Sequence, residues 1–293
     1  MQPSMFPLVM GYLWSVMKFI SNTCIRWVSL ISLTFIIWNG YGQTIHISHC
    51  MASCPQNSLT NTEIVVHHLY VAEINNGNGL ADWVAYRVLQ GSVGVASLLP
   101  RWWQQDELLP YAITRESDLS LPSFDQPDLS NQQDRDYRVN EIVFTSEDRG
   151  RLAPMTSFAD TPFWEELNNL SNMAPLPTDL RAGAWANLEQ AINELTASEE
   201  ELYVISGPLY EIKGTLNSRS LVGGLPSRYF KIVATEDNYA SFVFNADLPI
   251  HADYCDQIES INAIQQSSGL SLFPELETEL TPGLYSSLRC QQP

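Results

Sequence analysis

The chain has 293 residues, 45% of them hydrophobic, so it is long enough for one large folded domain or two small ones. It carries 15 basic and 33 acidic residues, which give a formal charge of −18. A surface of this sign repels nucleic acid unless a local basic cleft overrides it, and this argues against a protein that coats DNA. The plainest interpretation of the charge is an adaptation for solubility or salt.

A secretory leader is predicted at the N-terminus. Arg26 precedes a twelve-residue apolar run, residues 27–38, and small residues follow. This is the order of a signal peptide, and the run is short for a membrane span. We therefore predict a signal peptide over residues 1–42, with Met17 as a candidate start, and a single mature domain over residues 43–293. The mature protein is then secreted or periplasmic, without stable membrane association. An uncleaved membrane anchor is the alternative.

The cysteines agree with export. One lies in the predicted leader, and the other four are an even number, as expected for disulfides in an oxidising compartment: Cys50, Cys54, Cys255 and Cys290. Four cysteines allow three pairings, and pairing near neighbours would close two separate loops at the two ends. The alternative for the first two is a zinc site in "HISHCMASC".

Strands dominate the elements that the sequence predicts. Runs rich in β-branched and aromatic residues occur at residues 61–74, 81–89, 141–145, 201–211, 228–234 and 239–246. The turn-like "NNGNG" between the first two predicts a hairpin. As neighbours on a strand, His67 and His68 should face opposite sides, one packed and one exposed, rather than form a metal pair.

Helices and loops complete the pattern. Residues 116–137 are polar, acidic and proline-bearing, which predicts a long surface loop. Apolar residues recur every three or four positions over residues 179–198, which predicts an amphipathic helix with Asp179 as its N-cap and Trp185 and Leu188 in the core. A second helical stretch is predicted around residues 257–266. This order fits an α+β fold with a mostly antiparallel central sheet flanked by helices.

Several segments in this order resemble the DNA/RNA non-specific endonuclease family, which belongs to the ββα-metal finger nucleases. They include "ADWVAYRV", "DRGRLAP", "LNNLSNMAPLPTDLRAGAWANLE", "YVISGPLYE", "LPSRYFKIV" and "ADYCDQ". The resemblance implies a ββα-metal finger motif within the α+β fold. It also implies the pairings Cys50–Cys54 and Cys255–Cys290, and it is compatible with a homodimer.

The resemblance further implies an activity: hydrolysis of DNA and RNA phosphodiesters with one Mg²⁺. In the family, the histidine of a D-R-G-H motif is the general base that deprotonates water. An asparagine at the start of the next helix binds the metal, and a glutamate two turns later fixes metal-bound waters. The metal and an arginine stabilise the charge on the phosphate and the leaving oxygen.

Most family positions are retained in this chain. By resemblance these are Asp148, Arg149 and Gly150 of the motif, Asn172 of "SNMAP", the helical Glu189, and Arg101, an arginine near the family's site. Two positions depart from the pattern. Arg151 stands at the general-base histidine, and Arg181 stands at the metal-binding asparagine.

Arginine cannot perform either role. A guanidinium has a pKa above about 12 and no free lone pair, so Arg151 cannot accept a proton from water. Loss of a general base typically costs about a hundredfold to ten-thousandfold in rate. Arg181 offers no acceptor oxygen and brings a positive charge beside a dication. The two guanidinium groups could instead bind phosphate directly.

Three hypotheses follow for the function. The first is a pseudonuclease that keeps a phosphate-binding cleft for DNA and RNA. The second is an active nuclease with a substitute base, drawn from Glu147, Asp148, Glu189 or one of the five histidines. The third is a structural or protein-binding role without nucleic-acid contact, which the charge of −18 favours.

Overall fold

A computed structural model describes residues 47–57, 62–75, 80–101, 104, 106–109, 150–210, 226–276 and 279–291. All of them belong to the unit His46–Pro293 that internal contacts define. Several predictions lie outside the described residues: the signal peptide, the loop at 116–137, the strand at 141–145, and the motif residues Glu147, Asp148 and Arg149. Within the described ranges, no helix has both the length and the apolar composition to cross a membrane.

The described strands form one large sheet and two short pairs. In chain order they are β1 (Gln56–Asn57), β2 (Thr62–Val66), β3 (Tyr70–Asn75), β4 (Ala81–Leu89), β5 (Gly150–Arg151), β6 (Met173–Ala174), β7 (Glu201–Leu209), β8 (Arg228–Ala234), β9 (Tyr239–Asn245) and β10 (Leu270–Ser271). The central sheet has the order β2-β3-β4-β7-β8-β9, and every neighbouring pair is antiparallel. The short pairs are β1 with β10 and β5 with β6. The predicted α+β class with an antiparallel sheet is confirmed.

The first predicted strand is in fact a hairpin. The chain turns between β2 and β3, where the amide of His67 donates a hydrogen bond to the carbonyl of Tyr70 at 2.8 Å. His67 and His68 therefore lie in a turn and not on a strand. The prediction that one is packed and the other exposed still holds, since their side chains are 7% and 62% exposed.

The predicted long helix is interrupted near its start. The segment consists of α1 (Thr178–Leu180), a wide π-type turn (Arg181–Trp185) and α2 (Ala186–Leu195). The N-cap position is Pro177, so the assignment of Asp179 as N-cap is wrong. Gly183 has non-helical dihedrals, φ −102° and ψ −116°. A side chain there would bring its Cβ within 2.3 Å of the carbonyl oxygen of Ile250, so this close approach requires glycine.

The remaining helix and the tight turns are short. Helix α3 spans Ile261–Ser268, slightly later in the chain than the helical stretch predicted around residues 257–266. Ser260 is its N-cap, and the Ser260 side chain accepts a hydrogen bond from the amide of Ala263. Single 3₁₀ turns occur at Gln90–Ser92, Ala96–Leu98, Met155–Ser157, Trp164–Asn168, Leu170–Asn172 and Tyr254–Gln257.

The sheet separates two hydrophobic clusters. One face packs against the segment from β5 to α2, and Trp185 and Leu188 are buried there, as predicted. The other face packs against the N-terminal Cys50 and Met51, α3 and the segment around β10. Because both faces are covered, β8 is buried from Tyr229 to Ala234 without alternation.

Two disulfides close the ends of the domain. Cys50 bonds to Cys54 and Cys255 bonds to Cys290, the pairing that the family resemblance implies. The zinc alternative for "HISHCMASC" is excluded in this state, because the sulfurs of Cys50 and Cys54 are bonded to each other and are not available as thiolates.

The close approach at Gly183 predicts an unusual sign for a glycine substitution. Gly→Ala within a helical segment normally stabilises by up to about 1 kcal/mol. We expect Gly183→Ala to lower the free energy of unfolding by about 1–3 kcal/mol, because its methyl group meets the backbone at Ile250. Urea denaturation measures this difference.

Gly91→Ala is the matched control, since nothing lies within 4 Å of its added Cβ. It should change stability by less than about 0.5 kcal/mol. An unchanged or increased stability of Gly183→Ala would contradict the packing described here.

Candidate functional site

Several of the residues that the family resemblance singles out lie on one ββα segment, residues 150–195, which runs from β5 through β6 to α2. Strand β5 carries Arg151, which pairs with Met173 of β6. Asn172 directly precedes β6, Arg181 follows α1, and Glu189 lies on α2. Gln104 pairs with Asn169 just before this segment's second strand, so the chain three residues after Arg101 runs beside the same loop. Arg101 itself is half-buried.

Arg151 is held by the turn at Trp164–Asn168. Its Nε donates to the carbonyl of Leu167 at 3.2 Å, and its Nη2 donates to Oδ1 of Asn168 at 2.5 Å. These bonds engage two of the five N–H groups of the guanidinium. In these two contacts Arg151 donates to neutral oxygens, and a protonated guanidinium has no free lone pair to accept a proton.

Asn172 is a buried structural residue in this chain. Its Oδ1 accepts from the amide of Ala153 at 2.8 Å, and its Nδ2 donates to the carbonyls of Ala153 at 3.0 Å and Leu167 at 3.1 Å. Its side chain is fully buried. Asn172 thus links Ala153, just after β5, to the same Leu167 carbonyl that Arg151 contacts. These bonds fix the course of the backbone next to Arg151.

On the helical side, Arg181 begins the π-type turn and is half-buried. Wide turns of this kind occur often at functional sites, because they displace a side chain from the regular helical positions. Because the turn interrupts the helix, the spacing of four between Arg181, Trp185 and Glu189 does not place them on one helix face. Trp185 is buried under the sheet, whereas the Glu189 side chain is 13% exposed.

Glu189 forms an ion pair with a buried lysine. Nζ of Lys231, on β8, lies 2.6 Å from Oε1 of Glu189 and 3.9 Å from the ring centroid of Trp185. The Lys231 side chain is 0% exposed. Burial lowers the pKa of Lys231, and the charge and hydrogen bond of Glu189 oppose that effect only in part. Burial, and then the charge of Glu189, raise the pKa of Tyr86 well above its ordinary value. Glu189 is therefore not a solvated position on an exposed helix face.

The sheet face below the site holds the ββα segment at several points. Four polar side chains from three strands make these contacts: Tyr70 of β3 to Ser171, Ser206 of β7 to the carbonyl of Leu152, Tyr229 of β8 to the carbonyl of Pro175, and Lys231 of β8 to Glu189. The last two come from alternate residues of one strand, which point to the same face. The sheet thus sets the spacing between β5, β6 and α2.

A buried polar network holds the loop that carries Asn168 and Asn172. Nε2 of His67 lies 2.7 Å from Oδ2 of Asp106, and Ser171 donates to the same oxygen through a short hydrogen bond. The hydroxyl of Tyr70 lies 2.8 Å from that of Ser171. Burial raises the pKa of Asp106, but the hydrogen bonds from His67 and Ser171 outweigh it, so the net pKa is lowered.

These residues do not fit a divalent cation. Arg181 has no lone pair to donate, the Asn172 oxygen accepts a backbone hydrogen bond, and Oε1 of Glu189 pairs with an ammonium group. Among the residues that the structure describes, no group of three or more His, Cys, Asp or Glu side chains could hold a metal ion. The arrangement instead presents guanidinium groups, which suit an anion such as phosphate.

Sequence reasoning missed Lys231, Asn168 and Asp106. A lysine in the middle of the apolar run "RYFKIVA" was a signal for Lys231, because a fully buried lysine needs a partner. The roles of Asn168 and Asp106 depend on contacts over 17 and 39 residues, to Arg151 and His67. No local pattern marks such contacts.

The network around Asp106 predicts a pH-dependent stability. A carboxyl whose pKa is lowered by folding stabilises the protein above its unfolded pKa of about 3.9, and this contribution is lost as the pH falls through the folded pKa. We expect Asp106→Asn to lower the free energy of unfolding by about 1–3 kcal/mol at neutral pH. The difference should shrink below about pH 4. Urea titrations at neutral and acidic pH measure both values.

The exposed Asp160 provides a control, and Asp160→Asn should change stability by less than about 0.5 kcal/mol. The assignment of Asp106 would be wrong if Asp106→Asn matched the unsubstituted chain at neutral pH, or if its deficit grew on acidification.

Comparisons with known proteins agree with this architecture. A family profile described as DNA/RNA non-specific endonuclease matches residues 53–279. The nuclease of Serratia marcescens is 29% identical over 269 residues, which cover 89% of this chain and 93% of that protein. The mitochondrial endonuclease G of Bos taurus is 24% identical over 194 residues, which cover 59% of this chain and 63% of that protein.

A solved structure supports the fold. The crystal structure of the EndoG/EndoGI complex matches with a TM-score of 0.57 and 21% identity, covering 75% of this chain and 90% of the matched chain. The family profile spans most of the domain and includes β5, β6, α1 and α2. The chain belongs to the DNA/RNA non-specific endonuclease family.

Proposed function

We propose that this protein is an exported member of the nuclease family that has lost efficient phosphodiester hydrolysis and binds the phosphate groups of DNA and RNA in the inherited cleft. One observation carries the proposal. The guanidinium of Arg151, which the family resemblance assigns to the general-base position, is fixed by the carbonyl of Leu167 and the amide oxygen of Asn168.

The loss of hydrolysis follows from proton chemistry. Attack of water on a phosphodiester needs a group that accepts a proton near neutral pH. A guanidinium holds its protons at every physiological pH. The Leu167 carbonyl and the Asn168 amide oxygen accept hydrogen bonds from Arg151 and not from an attacking water. Among the substitute bases considered from the sequence, Glu189 is engaged by Lys231. Glu147 and Asp148 lie outside the described residues.

The metal side of the site supports the same conclusion. A divalent cation in this family would supply Lewis-acid stabilisation of the developing charge on the phosphate. Arg181 brings a positive charge and no ligand atom to that position. Arg181 therefore supplies a positive charge at the position where the family uses a bound metal ion.

Binding follows from the local sign of the charge. The protein as a whole carries −18, so polynucleotide is repelled except where basic groups concentrate. Arg151 and Arg181 lie on one ββα segment. Arg101 lies three residues before Gln104, which pairs with Asn169 in the loop of that segment. Planar guanidinium groups bind phosphate oxygens in pairs, which gives affinity without a metal.

Export is part of the proposal. The disulfides Cys50–Cys54 and Cys255–Cys290 are typical of oxidising compartments and support a secreted or periplasmic protein. The predicted signal peptide over residues 1–42 would direct it there.

The first test is cleavage of plasmid DNA and RNA by the oxidised mature chain with Mg²⁺ or Mn²⁺. We expect the unsubstituted chain to be at least about a hundredfold slower than the double variant Arg151→His with Arg181→Asn, which restores a proton acceptor and an amide oxygen. Each single variant should remain slow, because base and ligand are both required. The rate of product formation on gels measures the difference.

A fast, metal-dependent cleavage by the unsubstituted chain that Glu189→Ala abolishes would establish an active nuclease and overturn the proposal. Arg289→Gln in the same preparations controls for loss of an arginine, since Arg289 is 72% exposed and pairs with Glu194.

The second test is binding of labelled single- and double-stranded DNA at several salt concentrations. We expect Arg181→Gln to lower the affinity at low salt by about tenfold. The salt slope should fall by about 0.7 for single strands, because one phosphate contact is lost. Arg289→Gln should leave both values unchanged. An unsubstituted chain that fails to bind at low salt would indicate a role without nucleic-acid contact.

A further inference from the structure

Lys231 is a charged side chain in the buried interior of the protein. Its side chain is fully buried in the middle of β8, and among the described residues it is the only buried lysine or arginine. Removing an ammonium group from water is costly unless an opposite charge compensates it. The compensating group is Glu189, at 2.6 Å.

The neighbouring contacts of the same sheet face hold the β5 and β6 part of the segment without a charge. Ser206 and Tyr229, on the same sheet face, hold the ββα segment through neutral hydrogen bonds to the carbonyls of Leu152 and Pro175. Lys231 differs from them because its partner is an ionised side chain. Lys231 therefore contacts α2 and, unlike Ser206 and Tyr229, also compensates the charge of its partner, Glu189.

The position of Glu189 makes the compensation of its charge by Lys231 important for an anion site. Its side chain remains partly exposed, two turns beyond Arg181 along the helical segment. An uncompensated carboxylate there would repel phosphate and would compete for the guanidinium groups. The aromatic face of Trp185, 3.9 Å from the ammonium nitrogen, holds the cation at this spot from the helix side.

We infer that Lys231 is a positioning residue of the phosphate-binding cleft: its ammonium group neutralises and orients Glu189, so that the cleft accepts phosphate without a divalent cation. This inference rests on the proposed function and assigns the charge balance of that same site. Lys231 does not touch the ligand, because it is fully buried, and it acts only through Glu189.

The test is the affinity for a fluorescein-labelled oligothymidylate in excess EDTA at low salt, measured by fluorescence polarisation. Lys231→Met keeps the length of the side chain and removes its charge. We expect its affinity to fall at least about tenfold, because Glu189 is left uncompensated. The double variant Lys231→Met with Glu189→Gln should recover the affinity of the unsubstituted chain within about threefold, since neither charge remains.

Arg87→Met is the matched control. Arg87 pairs with Glu201 at 2.6 Å, and it alternates along β4 with Tyr86, so it lies on the opposite sheet face. Arg87→Met removes one positive charge, as Lys231→Met does, and it should change the affinity by less than about twofold. Circular dichroism checks that each variant is folded.

The possible results separate the inference from the proposed function. An unsubstituted chain without salt-dependent binding overturns the proposed function and the inference with it. If that chain binds and Lys231→Met binds equally well, or if the double variant is as weak as Lys231→Met, only the inference is overturned. If Lys231→Met does not fold, the single variant Glu189→Gln decides: equal or tighter binding supports the inference, and weaker binding contradicts it.

Discussion

The site depends on polar side chains that rise from one face of the central sheet into the ββα segment. Serine, tyrosine and lysine side chains make these contacts, and all are buried on that face: Tyr70, Ser206, Tyr229 and Lys231. A hydrophobic contact alone would allow the segment to slide, whereas a buried hydrogen bond fixes a distance and a direction. Ser206, which contacts the chain just after β5, and Lys231, which contacts α2, are register partners on β7 and β8, so this register sets the separation of β5 from α2.

Within that frame, the scaffold accommodates both arginines. Arg151 is accommodated by the Leu167 carbonyl and the Asn168 amide, and Asn172 supports the same carbonyl from the other side. Arg181 starts a wide turn that exists because Gly183 packs against the backbone of Ile250. The fold is that of the nuclease family, and the proposed function rests on guanidinium donors that suit a bound anion better than an activated water.

Much of the fold could be predicted from the sequence, because β-branched runs and helical periodicity are local. The strands β4, β7, β8 and β9 were predicted almost to their ends. The hairpin within residues 61–74 was missed, since "VVHHLYV" shows no glycine, proline or asparagine to mark its turn. The break at Gly183 was missed for a different reason: its cause, the carbonyl of Ile250, lies 67 residues away in the chain.

The candidate site also has features that could be predicted from the sequence and features that could not. Arg151 and Arg181 were identified because the family motif fixes their positions along the chain. The hydrogen bonds of the site could not be predicted, because contacts such as Arg151 to Asn168 and Lys231 to Glu189 depend on how distant segments pack. The role of Asn172 as a buried support for Ala153 also required the folded chain.

The most direct test of a cleft that binds phosphate through its own cations is the affinity of the unsubstituted chain for an uncleavable DNA analogue. It is measured once in EDTA and once in Mg²⁺ at matched ionic strength. The account predicts equal affinities in the two conditions, with a steep loss as salt is raised. An affinity that appears only with Mg²⁺ would contradict it, because it would mean that a metal, and not Arg151 and Arg181, holds the phosphate.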